Sequence, residues 1–103
     1  MSVADVIDDV IGDLIEDIVI EYEYDIDLDE EYLDLLMYIY NKLARAWFKD
    51  KKPDIYEFEA KLRNVRRRHK NKLRIVLSYL VSRFVKERKL ARARDRDYSQ
   101  PLF

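Results

Sequence analysis

The sequence predicts an all-α fold: a small bundle of three helices, or four if the longest divides, with one long basic helix as its spine and a short extended segment near residues 20–28. Three observations carry that expectation. Apolar residues recur three or four positions apart through most of the chain, the spacing of one helix face. One glycine and two prolines in 103 residues supply too few turns for an all-β chain, which needs one roughly every 8–12 residues. Apolar residues make up 49% of the chain, enough for one small core in a single domain. That domain is expected over residues 1–96, with helices near 2–19, 29–50 and 54–94 and a tail over 97–103.

The first helix is set by the apolar pairs Val6/Ile7, Val10/Ile11, Leu14/Ile15 and Ile18/Val19, with Asp5, Asp8, Asp9, Asp13, Glu16 and Asp17 on the opposite face. Ser2 with Asp5 three residues on makes a capping box. Gly12 costs the helix about 1 kcal/mol relative to Ala and marks a close helix–helix approach. From Ile20 to Asp29 the period becomes two: Ile20, Tyr22, Tyr24, Ile26 and Leu28 alternate with acids. That alternation is the pattern of an extended segment with one apolar face. Three outcomes stay open for it: the tail of the first helix, a connector over the core, or a strand paired with another chain.

The second helix starts near Asp29, with a buried stripe of Leu33, Leu36, Ile39/Tyr40, Leu43 and Trp47. Tyr32, Leu35, Met37, Tyr38 and Phe48 widen its apolar surface, as in a helix contacted on two sides. Pro53 ends the intervening break, and Asp54 with Glu57 caps the third helix. Ile55, Phe58, Leu62, Val65, Leu73, Val76, Leu80 and Phe84 form its stripe, with His69 midway across the one gap as a packing residue. That register favours one continuous helix of about 60 Å over a split near His69–Asn71.

Charge is segregated along the chain. Residues 1–36 hold 14 acids and no base, and residues 37–103 hold all 20 bases and seven acids, so a net charge of −1 conceals two opposed blocks. Such blocks are interaction surfaces or solvated arms, or they neutralise each other within a chain or between copies. There is no cysteine, hence no disulfide framework and no thiolate metal site. Abundant charge, no threonine and a single glutamine match a protein from a hot environment, archaeal or viral. No apolar run approaches the ~18 residues of a membrane span. With no basic leader at the N-terminus, the expected location is the cytoplasm, or the host's if viral.

The candidate binding residues are Arg63, Arg66, Arg67, Lys70 and Arg74, three or four apart on the basic helix, with Arg68, Lys72 and the later cations extending the charge. Arginine stripes match phosphate geometry and release counterions from nucleic acid. No helix-turn-helix signal accompanies them, so contact with the backbone without base reading is expected. Tyr22, Tyr24, Ile26, Tyr38, Trp47 and Phe48 are the candidate partner interface, in a homo-oligomer with a dimer favoured. Asp25, Asp27 and Asp29 have the spacing that opens a calcium loop, but the sixth position is Glu30 and the twelfth Leu36, so no metal is expected. The lone histidine has no nucleophile at a recognisable spacing and no glycine-rich loop exists. No catalytic residue, cofactor or small-molecule substrate is therefore expected.

Pro53/Tyr56, Leu62-Arg63-Asn64-Val65-Arg66-Arg67, and Leu73 to Leu80 with Arg83 and Lys86 resemble the helical A domain of subunits of the GINS replication complex. The resemblance covers residues 53–89; the family's small β-rich B domain has no counterpart. It implies a non-catalytic scaffold role in DNA replication. Two functional expectations result. One is a non-enzymatic nucleic-acid-associated protein, or a small subunit of a nucleic-acid-processing complex. The other is a structural or viral accessory protein whose acidic and basic halves pair between copies.

Overall fold

The computed structural model describes residues 2–49 and 51–99, with side chains through residue 91. It contains four helices, α1 (Val3–Glu21), α2 (Tyr32–Phe48), α3 (Ile55–Arg68) and α4 (Lys70–Ser99), and no strand among the described residues. None of these helices is long and apolar enough to cross a membrane.

The most buried element is α1, with Val6, Ile7, Ile11, Ile15 and Ile18 fully out of solvent. The Ser2 capping box forms: its hydroxyl accepts from the Asp5 amide, and the Asp5 carboxylate accepts from the Ser2 amide. Gly12 marks the expected close approach. The Tyr32 hydroxyl donates to Asp8 Oδ1 at 2.6 Å directly over it, and a Cβ on Gly12 would lie 2.5 Å from that same oxygen and 3.0 Å from the hydroxyl. Burial and the adjacent carboxylate push the Tyr32 phenol well above its ordinary pKa.

Residues 22–31 are the connector rather than a helical tail or a paired strand. Tyr24, Ile26 and Leu28 pack on the core while the acids between them face water. The period of two serves a single extended chain lying over a helical core. Its last turn shifts the start of α2 from Asp29 to Tyr32, because Asp27 Oδ1 accepts from the amides of Asp29 and Glu30 and holds them in a turn. In α2 the inward face is Leu35, Leu36, Ile39, Tyr40 and Leu43, whereas Leu33, expected in the stripe, is 60% exposed.

The continuous third helix is the main correction. The chain breaks at His69, whose φ of −135° and ψ of 45° leave the helical region. His69 is exposed, not a packing residue. No apolar side chain lies between Val65 and Leu73 to seat this stretch on the core, and five cations crowd it. The break also has a packing purpose. Phe58 meets Tyr40, Trp47 and Phe48 at ring centroid distances of 4.8, 5.9 and 6.4 Å, and Phe84 meets Tyr38 at 5.5 Å. In a straight helix Phe58 and Phe84 would stand about 39 Å apart, out of reach of two α2 side chains two positions apart. Past the bend the inward register becomes Leu73, Leu77, Leu80, Val81 and Phe84, which turns Val76 outward. The helix then continues to Ser99, into the segment expected as a tail; Gln100–Phe103 lie outside the described residues.

Candidate nucleic-acid interface

Three of the five candidate cations meet this chain's own carboxylates. Arg66 projects from α3 onto α1, where Nη1 donates to the Val10 carbonyl and to Asp13 Oδ1, both at 2.6 Å, and Nη2 donates to Asp13 Oδ2 at 2.8 Å. This is the planar two-bond match that guanidinium makes with carboxylate. The Arg66 guanidinium draws the Asp13 carboxyl down to a pKa of about 2. Arg63 stands 3.5 Å from Asp9 and 3.0 Å from Glu59, and Arg74 pairs with Glu21. Asp9 and Asp13 advance along α1 as Arg63 and Arg66 advance along α3, so α1 runs beside α3 in the same direction, and Glu21 at the end of α1 meets Arg74 at the start of α4. Farther along, Arg88 Nη1 lies 2.5 Å from Glu31 Oε2, tying α4 to the foot of α2.

Arg67 and Lys70 are placed differently. Arg67 is exposed and borders the depression lined by Asp8, Asp9 and Asp13 of α1, but among the described residues its guanidinium hydrogen-bonds only Asn64 Oδ1, at 3.4 Å. With Arg68, His69, Asn71 and Lys72, these two line an open depression at the α3–α4 bend. Among the described residues no carboxylate lies within ion-pair distance of Arg67, Arg68, Lys70 or Lys72. The N-terminus of α4 opens in the same place with no acid in its first turn, so its positive end adds to the field of the side chains. Arg68 and Lys72 read from sequence only as extensions of the charge. The signal that would have promoted them is the apolar gap between Val65 and Leu73, which is where the helix breaks and turns their side chains to water.

The candidate partner residues are distributed unevenly. Tyr24, Ile26, Tyr38, Trp47 and Phe48 pack on this chain's own core, while Tyr22 is exposed. The acidic segment Asp25–Asp29 forms the turn that precedes α2, and no group of three metal-ligating side chains occurs among the described residues. The chain matches no protein-family profile, no curated protein and no solved structure.

Proposed function

We propose that this is a non-enzymatic nucleic-acid-associated protein that holds phosphates at the α3–α4 bend and does not read bases. The observation that carries the reading is the cluster Arg67, Arg68, Lys70 and Lys72: four cations within six residues, open to solvent and lacking carboxylate partners among the described residues. Like charges held this close repel one another, and a polyanion relieves the repulsion while releasing its own counterions. Arg63, Arg66 and Arg74 are not part of the proposed surface, because α1 already neutralises them. The other expectation, a structural protein whose acidic and basic halves pair between copies, would draw on the same α1 carboxylates that Arg63, Arg66 and Arg74 engage. A scaffold role in replication, as the resemblance to the GINS A domain implies, is one setting for such a surface.

Retention of labelled DNA and RNA in gel shifts at about 50 mM salt, lost by roughly 200 mM, is the expected result. The double variant Arg67→Ala/Arg68→Ala should abolish most of it while keeping the fold. Absence of retention at low salt on either nucleic acid would remove the reading.

A further inference from the structure

The outward face of α4 continues the bend cluster with a pattern of its own. Ile75, Val76 and Tyr79 are 70%, 43% and 62% exposed. Lys72, Arg83 and Lys86 are exposed on the same side, as the 3.6-residue period requires. Lys72, Tyr79 and Lys86 stand seven apart, so they lie almost in line along the helix, with about 10 Å of rise between neighbours. Cations and apolar groups therefore alternate along one line instead of separating into a seam with charged flanks. Lys72 belongs to both this line and the bend depression, so the two surfaces are continuous.

That alternation discriminates among occupants. A second copy of α4 laid antiparallel about Tyr79 would set Lys72 against Lys86, cation on cation. An anionic membrane surface calls for an unbroken apolar strip, which Lys72, Arg83 and Lys86 interrupt. A partner helix would need apolar residues along the middle of its seam, where Lys72 and Lys86 sit instead. A polymer that itself alternates anionic groups with flat apolar ones meets both kinds of residue in turn.

We infer that the bound nucleic acid is single-stranded: its phosphates engage the bend cations and Lys86, and a base stacks on Tyr79 against Ile75 and Val76. The inference rests on the phosphate reading above and adds the strandedness of the ligand. In a duplex the base faces are stacked on one another and are not available to Tyr79. In a single strand each base presents a π-face, and stacking tolerates any sequence.

Fluorescence anisotropy on the full chain tests this with three probes: a labelled single strand of about 16 nucleotides, its matched duplex, and inorganic polyphosphate as competitor. The single strand should bind more tightly than the duplex. Tyr79→Ala should weaken the single strand roughly 5- to 150-fold, the range that loss of one stacked base produces. The same variant should leave duplex and polyphosphate affinities unchanged, and Tyr79→Phe should keep single-strand affinity. Tyr79 is largely solvent-exposed, so these variants leave the core intact. Unaltered single-strand affinity in Tyr79→Ala, or an equal loss on all three probes, overturns the inference while leaving the phosphate surface standing. A drop from dimer to monomer mass in light scattering of Tyr79→Ala also overturns it, by assigning the face to a second copy. Binding of none of the three probes removes this inference and the phosphate reading together.

Discussion

Arg66 and Arg67 are neighbours on one helix with opposite circumstances. Arg66 grips Asp13 with two hydrogen bonds and the Val10 carbonyl with a third. Arg67 has one long bond to an asparagine and faces water at the bend. A helix turns about 100° per residue, so consecutive side chains look at different surroundings: the first is bonded to the acidic helix α1, while the second borders the depression that Asp8, Asp9 and Asp13 line without pairing with any of them. A block of positive charge in a sequence is therefore not one functional unit. On this molecule it divides into an inward set that fastens α1 and an outward set left over for something else.

The division depends on the bend, and the bend depends on Phe58, which is 1% exposed and ringed by Tyr40, Trp47 and Phe48. Phe58→Ala should cost about 3–5 kcal/mol, a large part of a small domain's stability. Urea unfolding would register it as a lower midpoint. A loss below about 1 kcal/mol would mean that α3 is not anchored in this way.

Next in size is Arg66→Ala, which removes the two hydrogen bonds to Asp13 and the one to the Val10 carbonyl. The expected loss is about 1–2 kcal/mol by the same measurement, modest because the Asp13 side of the pair is open to solvent. The pair should also show itself in acid. Asp13 has its pKa lowered from 3.8 to about 2, so its contribution is fully present above the higher value and is lost as pH falls through the lower one. Stability should decline across that window by less than about 1 kcal/mol on this pair's account. Asp13→Asn should remove that part of the decline, and an unchanged profile in Asp13→Asn would contradict the pairing.

Smallest of all is Arg67→Ala. With no carboxylate partner to lose, it should change stability by no more than about 0.5 kcal/mol, while lowering affinity for nucleic acid in gel shifts. The two neighbouring arginines thus predict a crossed result. Position 66 should affect unfolding more than binding, and position 67 binding more than unfolding. Equal effects at the two positions would erase the distinction.

Much of this fold was legible in the residue pattern. The apolar pairs of α1, the Ser2 cap, the close approach at Gly12 and the outward acids of the connector all follow from local spacing, and local spacing is what a helix or an extended chain obeys. The bend was not legible as a bend. A step from Val65 to Leu73 with His69 between them is compatible with a straight helix. What decides against it is tertiary: Phe58 and Phe84 both reach α2, which no local period encodes. The inward role of Val76 and Leu33 failed for the same reason, since a one-residue change of register follows from how helices are seated against one another. The candidate site was half legible. The cations were visible in the sequence, but which ones α1 would neutralise depends on the alignment of residues some 53 positions apart.

The salt dependence of single-strand binding tests the central claim most directly, because it counts the cations that meet phosphate. The four bend cations together with Lys86 predict a log–log slope of about −3.5, at roughly 0.7 per contact. A slope of about −5 or steeper would mean that Arg63, Arg66 and Arg74 join them, and a slope near zero would mean that no phosphate is held; either result contradicts the division between the paired and the open face.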